Sequence, residues 1–193
     1  MKGGHVYREG GKRAFDSAVA ALALVALSPI IAVVAICIVI DDGGPVLFRQ
    51  RRIGRGGAEF ELLKFRSMPV GTKAVPSNLA RDLKVTRVGK PIRRFSLDEL
   101  PQLLNILRGD MSLVGPRPPL PEQRELIERR RAGSSLDLRP GLTGLAQIKG
   151  YEGMPVVEKA GWDEAYAKRI TLRRDLSIIA RTFRYLGEPP PAY

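Results

Sequence analysis

One stretch restricts this chain more than any other. Ala18 to Ile40 reads AVAALALVALSPIIAVVAICIVI, 23 residues in which only Ser28 and Pro29 are not apolar. A straight helix of that length rises about 35 Å, enough to cross a hydrocarbon core of about 30 Å. The uniformity argues against a buried helix of a soluble protein, and the run is too long for a secretory signal. Asp41-Asp42 also follow it where a cleavage site would need small residues. Cys37, inside the run, reads as a small hydrophobe.

Ser28-Pro29 falls at the midpoint. Proline removes a backbone donor and crowds the preceding turn, which bends a helix, and each half of the run is too short to span a bilayer. Basic residues stand on both sides, Lys2, Arg8, Lys12 and Arg13 before and Arg49, Arg51, Arg52 and Arg55 after. Positive charge marks the cytoplasmic side of a membrane segment. A helix that turns back at Ser28-Pro29 keeps both clusters there, whereas one crossing separates them. The expected fold is therefore a re-entrant helical hairpin, with a kinked single span as the alternative.

Composition narrows the chemistry. The 193 residues hold 32 Lys+Arg against 20 Asp+Glu, a formal net charge of +12, with one His and one Cys. Those single copies build neither a His- or Cys-rich zinc site nor a disulfide. A Ser-His-Asp relay would depend on His5, ahead of the apolar run, a poor place for a base. Carboxylates and cations are left to do any catalysis. The charge suits phosphate in nucleic acid, lipid or substrate. No reading helix, zinc module or aromatic RNA platform accompanies it, so nucleic acid is not an expected partner.

Beyond the turn Asp42-Gly43-Gly44-Pro45, two short strands, from Val46 and up to Phe65, flank the glycine-rich Ile53 to Gly57. Residues 69 to 82 read as a mobile loop. A helical pattern starts at Ser96-Leu97-Asp98-Glu99 and closes at Arg108-Gly109, with Pro101 awkward inside it. A charged helix covers Pro119 to Arg131, and Arg139 to Gly150 reads as turns and strand. Arg174 to Leu186 sets Leu176, Ile179, Phe183 and Leu186 against Arg181 and Arg184, a pattern that fits a helix lying on lipid or packing on the core. The overall class is mixed α/β (α+β).

Asp98-Glu99 is the most suggestive pair. A helix N-terminus favours an ionised Asp, and a carboxylate can attack phosphorus. Ser96-x-x-Glu99 is equally the spacing of a capping box. Cations sit elsewhere in loops and at element ends: Lys64, Arg66, Arg93, Arg117 between prolines, and Arg139. Arginine grips phosphate oxygens in a two-point fork.

Lys64-Phe65-Arg66-Ser67-Met68, Thr86-Arg87-Val88-Gly89, Ser96 to Leu103, Gly109 to Pro118 and Arg139 to Gln147 together resemble the bacterial sugar transferase family, the monotopic phosphoglycosyl transferases. Asp163-x-x-Tyr166 and Asp175-Leu176 extend the resemblance towards the C-terminus. It implies a monotopic protein with interfacial amphipathic helices on the cytoplasmic face of the bacterial membrane. The expected organisation is one domain over 1–193, with a re-entrant helix at 12–41 and a catalytic part at 42–193. Larger relatives carry additional N-terminal membrane helices and a further domain, and the expectation here is the minimal catalytic form.

The implied reaction moves a sugar-1-phosphate from a UDP-sugar to undecaprenyl phosphate and releases UMP. Asp98 would be the nucleophile, Glu99 would help hold Mg²⁺, and Lys64, Arg66, Arg93, Arg117, Arg139, Gln147 and Lys149 would contact phosphate or nucleotide. Membrane lipids are expected partners, with a homodimer or downstream glycosyltransferases as further ones. A catalytically silent scaffold is the alternative, against which Asp98, Glu99, Lys64 and Arg117 argue. The chain departs from the family at Gln147-Ile148-Lys149-Gly150-Tyr151, where relatives commonly read Gln-Val-Asn-Gly-Arg. Lys149 is the candidate to replace the charge lost at Tyr151.

Overall fold

The computed structural model describes residues 7–72, 84–150 and 153–186. Lys2, His5, Tyr151 and most of the expected loop at 69 to 82 lie outside the described residues. A π-helical turn, Tyr7–Gly11, leads into α1, Lys12–Asp42, a helix of 31 residues with Pro29 inside it. Pro29 cannot donate to Val25 O, and the Ser28 hydroxyl donates to that oxygen at 2.8 Å in its place. The helix is long and apolar enough to cross a membrane. Its buried residues are Asp16, Ala20, Val34 and Ile38, so the polypeptide covers it near its two ends. Leu22, Val25 and Ile30 between them are exposed.

Both ends of α1 are tied to the rest of the protein. At the start, Lys12 Nζ lies 2.6 Å from Asp175, Asp16 accepts from Ser112 Oγ at 2.7 Å, and Arg13 donates to the carbonyls of Ile106 and Leu107. At the finish, Asp41 accepts the Val88 N–H at 2.9 Å and Arg66 donates to the carbonyls of Asp42 and Gly43. Several flanking cations are thus internal ties. Lys12 and Arg13 hold the helix to the body, and Arg52 donates to Gln50 and to Pro118 O. Arg49 and Arg51 remain at the surface beside Glu61 and Glu59.

The two short strands expected around the glycine-rich turn are present. β1, Leu47–Ile53, pairs antiparallel with β2, Glu59–Phe65, around a 3₁₀ turn at Arg55–Gly57, where Gly56 and Gly57 adopt positive φ. Phe48 stands opposite Lys64, and Arg52 opposite Phe60. Then α2, Gly89–Arg94, follows, with the Thr86 hydroxyl accepting the Gly89 N–H at 2.9 Å.

The helix expected from Ser96 to Arg108 is split. Leu97–Glu99 form a 3₁₀ turn, and α3 runs only from Gln102 to Arg108, because Pro101 has no N–H to return to Leu97 and sits at the start instead. Asn105 in α3 is fully buried. It accepts the Leu63 N–H at 3.0 Å and donates to Glu61 O at 2.7 Å, locking α3 onto β2.

β3, Ser112–Val114, pairs in parallel with β4, Gly141–Thr143. Gly115 and Gly141 face one another so closely that a Cβ on either would strike the opposite backbone. The charged helix, α4, starts at Arg124 and ends at Ala132, later than Pro119 because residues 119 to 121 include two prolines. Contrary to the turn-and-strand expectation, Leu145–Lys149 form a helix, α5. Then come α6, Val156–Lys168, and α7, Leu172–Leu186.

Leu62, Leu103, Ile106, Met111, Val114, Tyr166 and Ile178 build the main core, and Val34, Ile38, Phe65 and Ile92 a second cluster under the far half of α1. Asp175 joins the ends of the chain, accepting from Tyr7 and Tyr166 hydroxyls at 2.8 and 2.7 Å. Burial, with the Asp175 charge beside them, pushes both phenols upward, so they stay donors. On α7, Asp175 and Ile178 face inward and Ile179 is half-buried, while Leu172, Leu176 and Phe183 are exposed together with Arg181 and Arg184.

Candidate active site

The 3₁₀ turn before α3 carries Asp98 and Glu99, and the end of β2 carries Lys64. Asn105 brings the two elements together, so Lys64 Nζ comes to lie 2.7 Å from Glu99 Oε1 and 3.7 Å from Asp98 Oδ2. From the Pro116-Arg117-Pro118 segment, Arg117 Nη2 reaches the same Glu99 oxygen at 3.2 Å. The two carboxylates and Lys64 are largely buried, with side chains 14%, 20% and 18% exposed.

This geometry decides between the two readings of Ser96-x-x-Glu99. Ser96 makes no side-chain cap, its backbone is left-handed at φ 53, and Glu99 faces two cations. The capping box does not form. Asp98 also does not sit at the first turn of α3, so the axial dipole is not what keeps its charge.

Electrostatics separate the pair. Burial opposes ionisation of Glu99, but Lys64 and Arg117 outweigh it and hold the carboxyl at about 2. For Asp98 burial prevails, against the pull of Lys64, Arg93 and Arg117 and with the Glu99 charge adding to it, so its pKa is raised. The sequence expectation of an Asp held ionised by amide dipoles is corrected. Glu99 is the firmly charged member, and Asp98 is the more basic carboxylate.

The other expected contacts divide. Arg93, on α2, acts on Asp98 through its charge. The Arg66 guanidinium is buried on the carbonyls that end α1. Arg139 donates to Gly109 O at 2.9 Å, past the opposite end of α3 from the dyad. Burial, then Arg55 and Arg13 nearby, lowers its pKa. Gln147 donates to Leu142 O at 3.3 Å with its Oε1 buried beside Gly144 and unpartnered. Lys149 is exposed and rests over the Trp162 ring, 5.1 Å from its centre. Sequence reasoning placed Arg52 only among membrane-flanking charges. It stands in the field of Arg117, Glu99 and Glu122, and burial followed by Arg117 lowers it to about 10. Strand alternation was the available signal, since residues 48, 50 and 52 share a sheet face with Lys64.

Among the described residues no three His, Cys, Asp or Glu side chains converge as a metal cluster. Two adjacent carboxylates remain. With Glu99 Oε1 taken by the cations, Glu99 Oε2 and Asp98 are hard oxygen donors that suit Mg²⁺, an ion that keeps water and substrate phosphate in its shell.

Residues 7–188 match the family described as bacterial sugar transferase. The exopolysaccharide production protein ExoY of Sinorhizobium fredii is 42% identical, over 89% of this chain and 83% of its own length. A UDP-glucose:undecaprenyl-phosphate glucose-1-phosphate transferase of Caulobacter vibrioides is 42% identical, over 94% of this chain and 72% of its own. A UDP-N-acetylgalactosamine-undecaprenyl-phosphate N-acetylgalactosaminephosphotransferase of Aeromonas hydrophila is 38% identical, over 90% and 43%.

Proposed function

The chain belongs to the bacterial sugar transferase family, and on that footing we propose that it transfers a sugar-1-phosphate from a UDP-sugar to undecaprenyl phosphate, releasing UMP. The observation that carries the reading is the dyad itself, with Lys64 set between Asp98 and Glu99 and Arg117 closing the other side of Glu99. A carboxylate approaching a diphosphate meets like charge, and fixed cations at the reacting centre offset that repulsion.

In the first displacement an Asp98 oxygen bonds to the phosphorus that carries the sugar, and the bond from that phosphorus to the UMP oxygen breaks. The products are UMP and an aspartyl phosphosugar. In the second, an oxygen of undecaprenyl phosphate bonds to the same phosphorus and Asp98 departs as a carboxylate. The raised pKa of Asp98 favours its attack in the first displacement, because the more basic carboxylate is the better nucleophile. Lys64, Arg93 and Arg117 bind and orient phosphate oxygens. Mg²⁺, held by Glu99 and Asp98, would neutralise diphosphate charge.

Both ends of α1 are bonded to one body, through Lys12 and Arg13 at the start and Asp41 and Asp42 at the finish. A straight crossing would pull that body through the bilayer, so this supports a re-entrant α1 bent at Ser28-Pro29, monotopic on the cytoplasmic face. The exposed Leu172, Leu176 and Phe183 support α7 as an interfacial helix on the same surface. Radiolabelled UDP-glucose and UDP-N-acetylgalactosamine, incubated with undecaprenyl phosphate in Mg²⁺, test the reading. Lipid-linked label and UMP are expected, and both vanish in Asp98→Ala. Absence of product with every donor of a UDP-sugar panel overturns it.

A further inference from the structure

The backbone that carries Arg117 is unusual. Pro116, Pro118 and Pro119 have no N–H, so this segment contributes almost no donors of its own. Its carbonyls are all engaged from outside. Pro116 O accepts from Gly141 N at 2.9 Å and Pro119 O from Ile53 N at 3.0 Å. Between them, Pro118 O accepts from Arg52 Nη1 at 3.0 Å and Arg117 O from Arg130 Nη1 at 2.9 Å.

Arg130 is the exceptional member. It lies on α4 and Asp163 on α6, each 2% exposed, and two guanidinium nitrogens, Nε and Nη2, donate to one Asp163 oxygen at 2.9 and 2.5 Å. A buried ion pair adds little stability over an apolar pair of similar volume, since desolvation cancels much of the attraction. What this pair does provide is a fixed donor at Arg117 O. Asp163 neutralises the guanidinium, and the third nitrogen is left aimed at the one residue of the segment whose side chain reaches Glu99.

We infer that Arg130, neutralised by Asp163, is a positioning residue for Arg117, holding its backbone so that the guanidinium stays on Glu99 and meets the donor phosphate. The inference rests on the transferase reading above and adds a part to it.

A double-mutant cycle in the full chain tests it, with Arg130→Met/Asp163→Leu as the strut-removing change. Replacing both charges by apolar groups avoids leaving an unpaired buried ion. In the wild-type background, kcat for UMP release should fall about 10-fold to 100-fold, the scale of a small misplacement of a catalytic group, with the melting temperature near that of wild type. In an Arg117→Gln background the same change should cost less than about twofold, because its effect runs through Arg117. Equal losses in both backgrounds, or a folded strut-free enzyme of unchanged kcat, overturn the inference. Should the double change fail to fold, Arg130→Lys keeps the charge but has one head for two acceptors, and the same non-additivity decides. A wild-type enzyme that releases no UMP refutes the transferase reading, a separate result from additive losses.

Discussion

Replacing Lys64 by Met should move the acid limb of the pH–rate profile to higher pH. The Lys64 ammonium lies 3.7 Å from Asp98 Oδ2. Coulomb's law at that separation gives about 1 kcal/mol at bulk-water dielectric and about 4 kcal/mol at an effective dielectric near 20. Both side chains are less than one-fifth exposed, so the true value belongs towards the upper part of that span. Each 1.36 kcal/mol is about one pKa unit, which makes the expected shift about 1–3 units. Burial already raises Asp98 and Lys64 opposes it, so removing Lys64 raises Asp98 further. The carboxylate needed for attack is present above its pKa and lost as pH falls through it. The limb therefore moves up. kcat/KM for UMP release, measured against pH at donor concentrations well below KM in wild type and Lys64→Met, reads the shift in the free enzyme. Lys64 also meets substrate, so the absolute rate falls as well, but the position of the limb belongs to the dyad. A limb that stays in place, or moves to lower pH, refutes the electrostatic assignment.

Other consequences are open to simpler tests. In a Cys37→Ser background, Val46→Cys in intact cells should resist an impermeant thiol reagent from the outer face, and labelling there would defeat the re-entrant α1. Asn105→Leu should destabilise the protein by at least about 2 kcal/mol in denaturant unfolding, because the Leu63 N–H and Glu61 O lose their buried partner. A smaller change would mean the strand edge finds other partners. Chelation of divalent ions should stop turnover and Mg²⁺ should restore it. Full activity in chelator would remove the metal from the account.

Much of the fold was legible where one local rule acts alone. The hairpin followed from strand patterning around Gly54 to Gly57, and α1 from an apolar run that has few other uses. The dyad helix broke where Pro101 warned that it would. Misreadings came where a side chain had two suitable partners and only the tertiary structure chose. Glu99 had the spacing of a cap but turns to Lys64 and Arg117, which arrive from 35 and 18 residues away. Arg66 sits within a motif of phosphate-binding type, yet carbonyls at the end of α1 take its guanidinium. Arg130 read as an ordinary member of a charged helix, and Asp163 only as part of the motif Asp163-x-x-Tyr166. Their burial and shared contact with the Arg117 backbone arise from α4 packing on α6, which no periodicity announces.

With Asp98 as the nucleophile, its carboxylate bonds transiently to the sugar-bearing phosphorus. Incubating the enzyme with its UDP-sugar in the absence of undecaprenyl phosphate, then mapping the quenched protein by peptide mass spectrometry, examines that bond. One added sugar phosphate is expected on the peptide containing Asp98, discharged when undecaprenyl phosphate is supplied and missing in Asp98→Asn. An unmodified Asp98 peptide in an enzyme that turns over, or an adduct that persists in Asp98→Asn, would contradict Asp98 as the nucleophile.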